Sequence, residues 1–290
     1  MNSSVNMSSM GIDPDAYRQE SLENWGHVAA GWEERREWMM GNTAPVNSRL
    51  VERLDPQPGQ TILEVGAGTG DLGLEVAERL AHGGRVISTD FAPEMVAVAR
   101  RQSKARNLTN VEHRVLDAEA MDLADDAVDG VVCRWAYMLM ADPATALKET
   151  RRILRPGGRL AFAVWRAAEH NPWQAVPGMT LVQRGHTPPP VPGAPGIFAL
   201  GEPGRIRELV TGAGFAEPEL EELAFEYRYA DSDDLWGALL QLSRVGRTLD
   251  ALPADERDAT RAEVMQKMAP YGNEDGSYTA PAATWIALAR

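Results

Sequence analysis

Between Thr61 and Trp165, short apolar runs alternate with segments of helical periodicity. The expected order is strand Thr61–Val65, helix Leu72–Ala81, strand Arg85–Thr89, helix Glu94–Ala105, strand Val111–Leu116, strand Val128–Cys133, helix Pro143–Leu154 and strand Arg159–Val164. Strands separated by helices pair in parallel, because the return crossing is made by the helix. Most of these strands are near-continuously apolar, as strands covered on both faces must be. The fold class expected is therefore α/β, a doubly wound Rossmann-like sheet with helices on both sides.

Both flanks are less regular. Residues Ala16–Met40 carry Trp25, Val28, Ala29, Trp32 and Trp38 among charged residues, which suits an amphipathic helix broken near Gly26 or Gly31. A second helix is expected over Val46–Leu54, stopping at Pro56. Beyond Trp165 the rhythm weakens, and Thr187–Gly196 is too rich in proline for a helix or a central strand. A helix over Pro203–Gly214, a strand over Leu220–Tyr229, helices over Asp231–Val245 and Pro253–Met268, and a strand over Ala283–Ala289 complete the reading.

Composition narrows the partners. Lys plus Arg total 29 against 42 Asp plus Glu, a net charge of −13, which argues against nucleic acid and against an anionic membrane surface. Cys133 is the only cysteine, so neither an intramolecular disulfide nor a Cys-rich metal centre is available, and a cytoplasmic setting is compatible. Residues 1–12 are expected to be a disordered leader, because they lack the basic and apolar regions of a signal peptide. No apolar run of about 18 residues exists for a membrane-spanning helix. No spacing of acids and histidines suggests a metal site.

The chemistry is concentrated in Thr61-Ile-Leu-Glu-Val-Gly-Ala-Gly-Thr-Gly70, where an apolar strand runs into three glycines and a helix opens at Asp71. Glycines admit positive φ and let a ligand approach the backbone. A helix N-terminus adds free N–H groups and a positive dipole end. A dinucleotide site expects a third glycine at the sixth position, where Asp71 stands, and an acid at that helix start is expected to repel a pyrophosphate. Asp90 closes the second strand about 20 residues on, where an acid takes ribose hydroxyls or caps the next helix. Asp117 follows the third strand, so three strand ends aim at one crevice.

With Ile62-Leu-Glu-Val-Gly-Ala-Gly-Thr-Gly70, Val86-Ile-Ser-Thr-Asp-Phe-Ala-Pro-Glu-Met95, Leu116-Asp-Ala-Glu119 and Leu154-Arg-Pro-Gly-Gly-Arg-Leu160 in this order, the chain resembles a class I S-adenosylmethionine-dependent methyltransferase. It is most similar to the small-molecule branch of the ubiquinone and menaquinone biosynthesis enzymes. The resemblance covers about Pro45–Arg166. It implies S-adenosyl-L-methionine as cofactor, with Glu64, Gly66, Ala67, Gly68 and Gly70 shaping the methionine end. Asp90 would take the ribose, Phe91 and Met95 would flank the adenine, and Asp117 and Ala118 would read its edge. Cys133 and Arg134 would lie near the methionyl group and the acceptor. The segment Leu154–Gly158 would be a structural turn, and the final strand would be reversed. No match to the quinone enzymes' N-terminal signature is found. Arsenite methyltransferases share the core but need several thiols.

The partition that follows is one domain over residues 13–290. It comprises an N-terminal helical lid (13–44), a cofactor-binding core (45–166), and a substrate loop with cap helices and last strands (167–290). The partner expected is a small, apolar or aromatic acceptor; O-, N-, S- and C-methylation and the oligomeric state stay open. Methyl transfer from a sulfonium needs position and a dry site, and a base only for a protonated acceptor. The candidate bases are His170 after the fifth strand and His27 on the N-terminal helix, ahead of His186, while His82 and His113 read as ordinary surface or strand residues. Trp135 and Tyr137 are the expected substrate contacts, within an aromatic set that includes Trp25, Trp32, Trp165, Trp173 and Trp236. The Pro-rich loop and helices 231–268 are expected to cap the acceptor site. Two alternatives share the fold: an NAD-dependent oxidoreductase, and a cofactor-binding protein without turnover.

Overall fold

In the computed structural model, which describes Met7, residues 12–80 and residues 83–290, the chain opens with two helices, α1 (Pro14–Glu34) and α2 (Arg36–Leu54). Most of the expected leader and His82 lie outside the described residues. Asp13 caps α1 by accepting the Asp15 N–H at 3.0 Å. The break falls at Arg35, and Gly26 and Gly31 stay helical. Gly31 is there for packing: a Cβ at this position would stand 2.5 Å from the Gln241 carbonyl oxygen. The expected gap between Met40 and Val46 is absent, and α2 runs through Pro45 to a left-handed Asp55 at φ 51°.

The sheet then builds in the expected alternation: β1 (Thr61–Val65), α3 (Asp71–Arg79), β2 (Arg85–Asp90), α4 (Pro93–Ala105), β3 (Val111–Val115), β4 (Val128–Arg134), α5 (Pro143–Ile153) and β5 (Leu154–Trp165). Proline at the first position starts both α4 and α5, where its missing N–H is not needed. The ladder between β4 and β5 jumps from Val128–Leu154 to Gly130–Arg159. The Arg-Pro-Gly-Gly turn is thus looped out inside β5, with Gly157 at φ 81°.

Next come α6 (Pro172–Gln183), α7 (Pro203–Gly212), β6 (Glu219–Tyr229), α8 (Ser232–Leu242), α9 (Arg244–Asp250), α10 (Ala254–Met268) and β7 (Tyr278–Ala289). The seven strands are ordered β3-β2-β1-β4-β5-β7-β6, and β7 runs antiparallel to both of its neighbours. This is the Rossmann-like sheet with a reversed final strand. Asn171, fully buried, fastens that strand: its side chain accepts the Ala283 N–H at 3.0 Å and donates to the Ala283 carbonyl at 3.1 Å.

The chain leaves β1 toward β3 and returns to the other side of β1 at β4. The ends of β1 and β4 therefore frame the crevice where an open α/β sheet binds its ligand. Leu63, Val86, Val132, Phe162 and Ile286 are all buried in the core behind it.

Candidate active site

A cavity of about 340 Å³ runs along the carboxyl edge of the sheet, from the loop after β3 to β6. Its first half is made by the β1–α3 loop. Gly66, Gly68 and Gly70 have φ of 65°, 55° and 84°, the left-handed region that glycine enters without strain. Their surroundings differ. A Cβ on Gly66 would sit 2.3 Å from the Ala136 Cβ, and one on Gly70 2.7 Å from the Ala99 Cβ. Beside Gly68 there is nothing within 4 Å. Gly66 and Gly70 let neighbouring elements pack, whereas Gly68 leaves room for a ligand against the backbone.

Two acids hold this loop, Glu64 buried and Asp90 partly so. Glu64 accepts the Gly73 N–H and the Ser88 hydroxyl, each at 2.7 Å, and burial pushes its carboxyl up to about 7. Asp90 accepts the Gly68 N–H at 2.8 Å with one oxygen and the Ala92 N–H at 2.9 Å with the other. It thus braces the loop and turns the chain toward α4. Each oxygen keeps a lone pair for a ligand hydroxyl, and burial raises this carboxyl too. Asp117 accepts the Glu119 N–H at 2.8 Å, and Arg18 from α1 bridges Asp117 and Glu119.

Asp71 does not present the repulsive charge expected at the start of α3. Its carboxylate is 1% exposed and is paired with Arg36 and Arg106. A pyrophosphate would meet no bare charge there, and the glycine spacing alone speaks against one.

The second half of the cavity is walled by rings. Trp135 follows β4 at φ 60°, a left-handed backbone that bulky residues rarely adopt. Its indole stacks on Trp165 with centroids 4.0 Å apart and 16° between planes, and its Nε1 donates to Thr284 Oγ1 at 3.0 Å. Trp173 lies 4.9 Å from Trp165, and Tyr227 4.8 Å from Trp173. Trp38 from α2 stacks on Tyr227 at 5.6 Å and meets Tyr229 at 5.3 Å. Arg134 stands at the junction of the halves: it donates to Thr43 Oγ1 at 3.0 Å and Asn47 Oδ1 at 2.6 Å, and its guanidinium lies over the Trp135 ring.

The roof is α1 with the end of α8 and the start of α9. Tyr17 donates its hydroxyl to the Leu139 carbonyl at 2.8 Å, Trp32 its indole N–H to the Leu242 carbonyl at 3.1 Å, and Arg35 pairs with Asp234 at 2.7 Å. From the Pro-rich segment, Gly196 reaches the cavity and donates to the Met138 carbonyl at 3.0 Å.

Eleven of the expected site residues line this cavity: Glu64, Gly66, Ala67, Gly68, Asp90, Phe91, Met95, Asp117, Ala118, Arg134 and Trp135. Five lie outside it. Gly70 is packed against α4. Cys133 is fully buried inside β4, and burial pushes its thiol up to about 12. Tyr137 is fully buried, its hydroxyl sharing a 2.7 Å hydrogen bond with Thr150 and its ring edge-on to Phe162. His27 is exposed on α1, and His170 sits partly exposed beside Glu169. Trp236 is also outside, its ring against Arg261. The reading missed Trp38, Gln174, Tyr227 and Tyr229. The last two had a signal: Phe225, Tyr227 and Tyr229 recur at a spacing of two, one face of a strand.

Residues 56–186 match the family model described as a methyltransferase domain. Over that stretch the chain is a methyltransferase domain of class I. Domains of this class take their methyl group from S-adenosyl-L-methionine. Among curated relatives, a demethylmenaquinone methyltransferase of Thermus thermophilus is 46% identical over 114 residues, 39% of this chain and 50% of that protein. Nocamycin O-methyltransferase of Saccharothrix syringae is 27% identical over 202 residues, 67% of this chain and 72% of that protein. The solved YcgJ protein of Bacillus subtilis shares the fold at a TM-score of 0.58 and 17% identity, with 84% of this chain and 96% of that one covered. The chain spans about half the length of several of the curated relatives it matches. The methyltransferase family match ends before α7, so β6 and β7, with the tyrosines that wall the cavity, lie outside it. No helix among the described residues is long and apolar enough to cross a membrane.

Proposed function

We propose that this protein transfers a methyl group from S-adenosyl-L-methionine to a small, flat, largely apolar acceptor. The observation that carries the reading is the continuity of one cavity, glycine-lined under β1 and β2 and ring-walled under β4, β5 and β6. The acceptors named in the two relatives, a demethylmenaquinone and nocamycin, support a compact organic molecule over a macromolecule. The partition proposed is a single domain over residues 13–290, because lining residues come from the 13–44, 45–166 and 167–290 stretches alike.

Bound S-adenosyl-L-methionine supplies a methyl carbon already activated on a positive sulfur. The protein contributes position and dryness. Gly68, with its open flank, and Asp90, with lone pairs to spare, suit the methionyl and ribose parts; Phe91, Met95 and Asp117 suit the adenine. Stacked Trp135 and Trp165 offer a planar acceptor a matching face and exclude water from the line of displacement. His27 and His170 both lie outside the cavity, and no histidine among the described residues lines it, which supports transfer without an imidazole base. Catalysis by alignment alone is the consistent mechanism.

The test is a thermal melt with S-adenosylhomocysteine, with NADH in parallel, followed by an acceptor screen that reads S-adenosylhomocysteine formation. At about 100 times its dissociation constant a ligand adds about 2.7 kcal/mol to the native state, a shift of several degrees or less in a chain this size. A shift with NADH alone would sink the proposal.

A further inference from the structure

The acceptor half of the cavity takes its far wall from β6, which lies beyond the stretch that matches the methyltransferase family. What that strand contributes is particular to this chain. Tyr227 and Tyr229 both line the cavity. Tyr229 faces Asp234 and Arg35, the ion pair that ties α8 to the joint between α1 and α2.

Tyr227 is placed differently. It is 2% exposed and its ring is closely packed: Trp38 stacks on it at 5.6 Å, with Trp173 at 4.8 Å and Phe225 at 5.5 Å. Its hydroxyl has one contact among the described residues, the Met39 sulfur at 3.9 Å. A thioether is a weak acceptor, and the O–H of a buried tyrosine usually finds a better one. Two other tyrosines show the usual case: the Tyr137 hydroxyl has Thr150 Oγ1 at 2.7 Å, and that of Tyr17 has the Leu139 carbonyl at 2.8 Å. Burial holds the Tyr227 phenol above its ordinary range, so at neutral pH it keeps an O–H to give. Arg134 is the charged group that acts on this phenol, and it also faces Glu64 and Glu75. Its charge is balanced there, so nothing calls for an anion beside Tyr227. A buried donor without a good acceptor costs stability, and a ligand that supplies the acceptor is selected over an isostere that does not.

We propose that Tyr227 is a specificity-determining residue of the acceptor half, its hydroxyl donating a hydrogen bond to a neutral carbonyl oxygen of the acceptor, so that the molecule methylated is a flat ring system bearing a ketone or quinone oxygen. This deepens the methyl-transfer reading and rests on it. The bonded oxygen is a handle and not the atom methylated. Stacked rings leave a planar molecule free to rotate in its own plane, and one directional hydrogen bond removes that freedom.

The probes are 9-fluorenone and fluorene, flat molecules of nearly the same size that differ in one carbonyl oxygen. Both are titrated into protein saturated with S-adenosylhomocysteine. An apolar pocket alone favours fluorene, which has no polar group to desolvate. The expected result is fluorenone binding about tenfold tighter than fluorene, with the carbonyl stretch of bound fluorenone below its frequency in an alkane solvent. Tyr227→Phe should erase most of that preference and return the stretch toward its alkane value, while fluorene and S-adenosylhomocysteine affinities stay unchanged. The ligand-free melting temperature of this variant should hold or rise, since it loses a hydroxyl that no oxygen satisfies. A marked fall would mean that the hydroxyl serves the fold, and it overturns the proposal. So does fluorene binding as tightly as fluorenone, binding of neither, or a preference that survives Tyr227→Phe. Failure of the unmodified protein to bind S-adenosylhomocysteine would instead overturn the methyl-transfer reading beneath it.

Discussion

Under β1 and β2 the cavity wall is one short loop, Gly66 to Gly68, whose shape is set by left-handed φ angles and braced by Asp90. Under β4, β5 and β6 it is a set of rings from separate stretches of chain: Trp38, Trp135, Trp165, Trp173, Tyr227 and Tyr229. A loop built from backbone offers any ligand the same N–H groups and the same open flank, whatever side chains surround it. A wall built from side chains can be redrawn one residue at a time without disturbing the loop. The two halves should therefore fail in different ways when mutated.

The largest effect is expected from Trp135→Ala. It removes a buried ring from the stack on Trp165 and should cost ~3–5 kcal/mol in a denaturant melt. S-adenosylhomocysteine affinity should stay within about threefold, and a greater loss would mean that the halves are not separable. Gly66→Ala comes next. Its Cβ would collide with that of Ala136 at 2.3 Å, so about 2–3 kcal/mol of stability and most adenosyl-ligand binding should go together.

Gly68→Ala sharpens the comparison. With nothing within 4 Å, only the φ of 55° opposes it, a cost of about 1 kcal/mol. Calorimetry should nevertheless find adenosyl-ligand affinity down more than tenfold, and retained affinity would show that Gly68 faces no ligand. The smallest effect is a change of slope. The Glu64 carboxyl sits above its ordinary range in the folded protein, up to about 7, so the native state binds the extra proton. Stability should fall as pH rises from about 4.5 through 7. Glu64→Gln keeps an acceptor for the Gly73 N–H and should flatten this part of the melting-temperature profile; an unchanged slope would reject the assignment.

How much of this was legible in the sequence follows the same division. The strands β1 to β4 and the glycine loop were readable because their determinants are contiguous: apolar runs, positive-φ glycines, an acid at a strand end. Breakers misled where tertiary packing overrode them. Pro45 sits inside α2 and Pro177 inside α6, and Gly31 stays helical because α8 needs the space. Asp71 looked like a bare charge because Arg36 and Arg106 are 35 residues away from it on either side. The ring wall was mostly hidden, since proximity of Trp38, Trp173 and Tyr227 is created only when α2, α6 and β6 meet. Tyr137 was misjudged because closeness in sequence to the end of β4 does not fix the direction of a ring, which here points to Thr150.

β7 lies between β5 and β6, holds Thr284 under the Trp135 indole, and is clamped by Asn171. On a ribosome, then, β1 to β5 can pair as soon as they emerge, while β6 has no neighbour until β7 follows it. The growing polypeptide should complete its glycine loop well before its ring wall, so a nascent chain would present the loop while the tyrosines of β6 still had no strand to hold them.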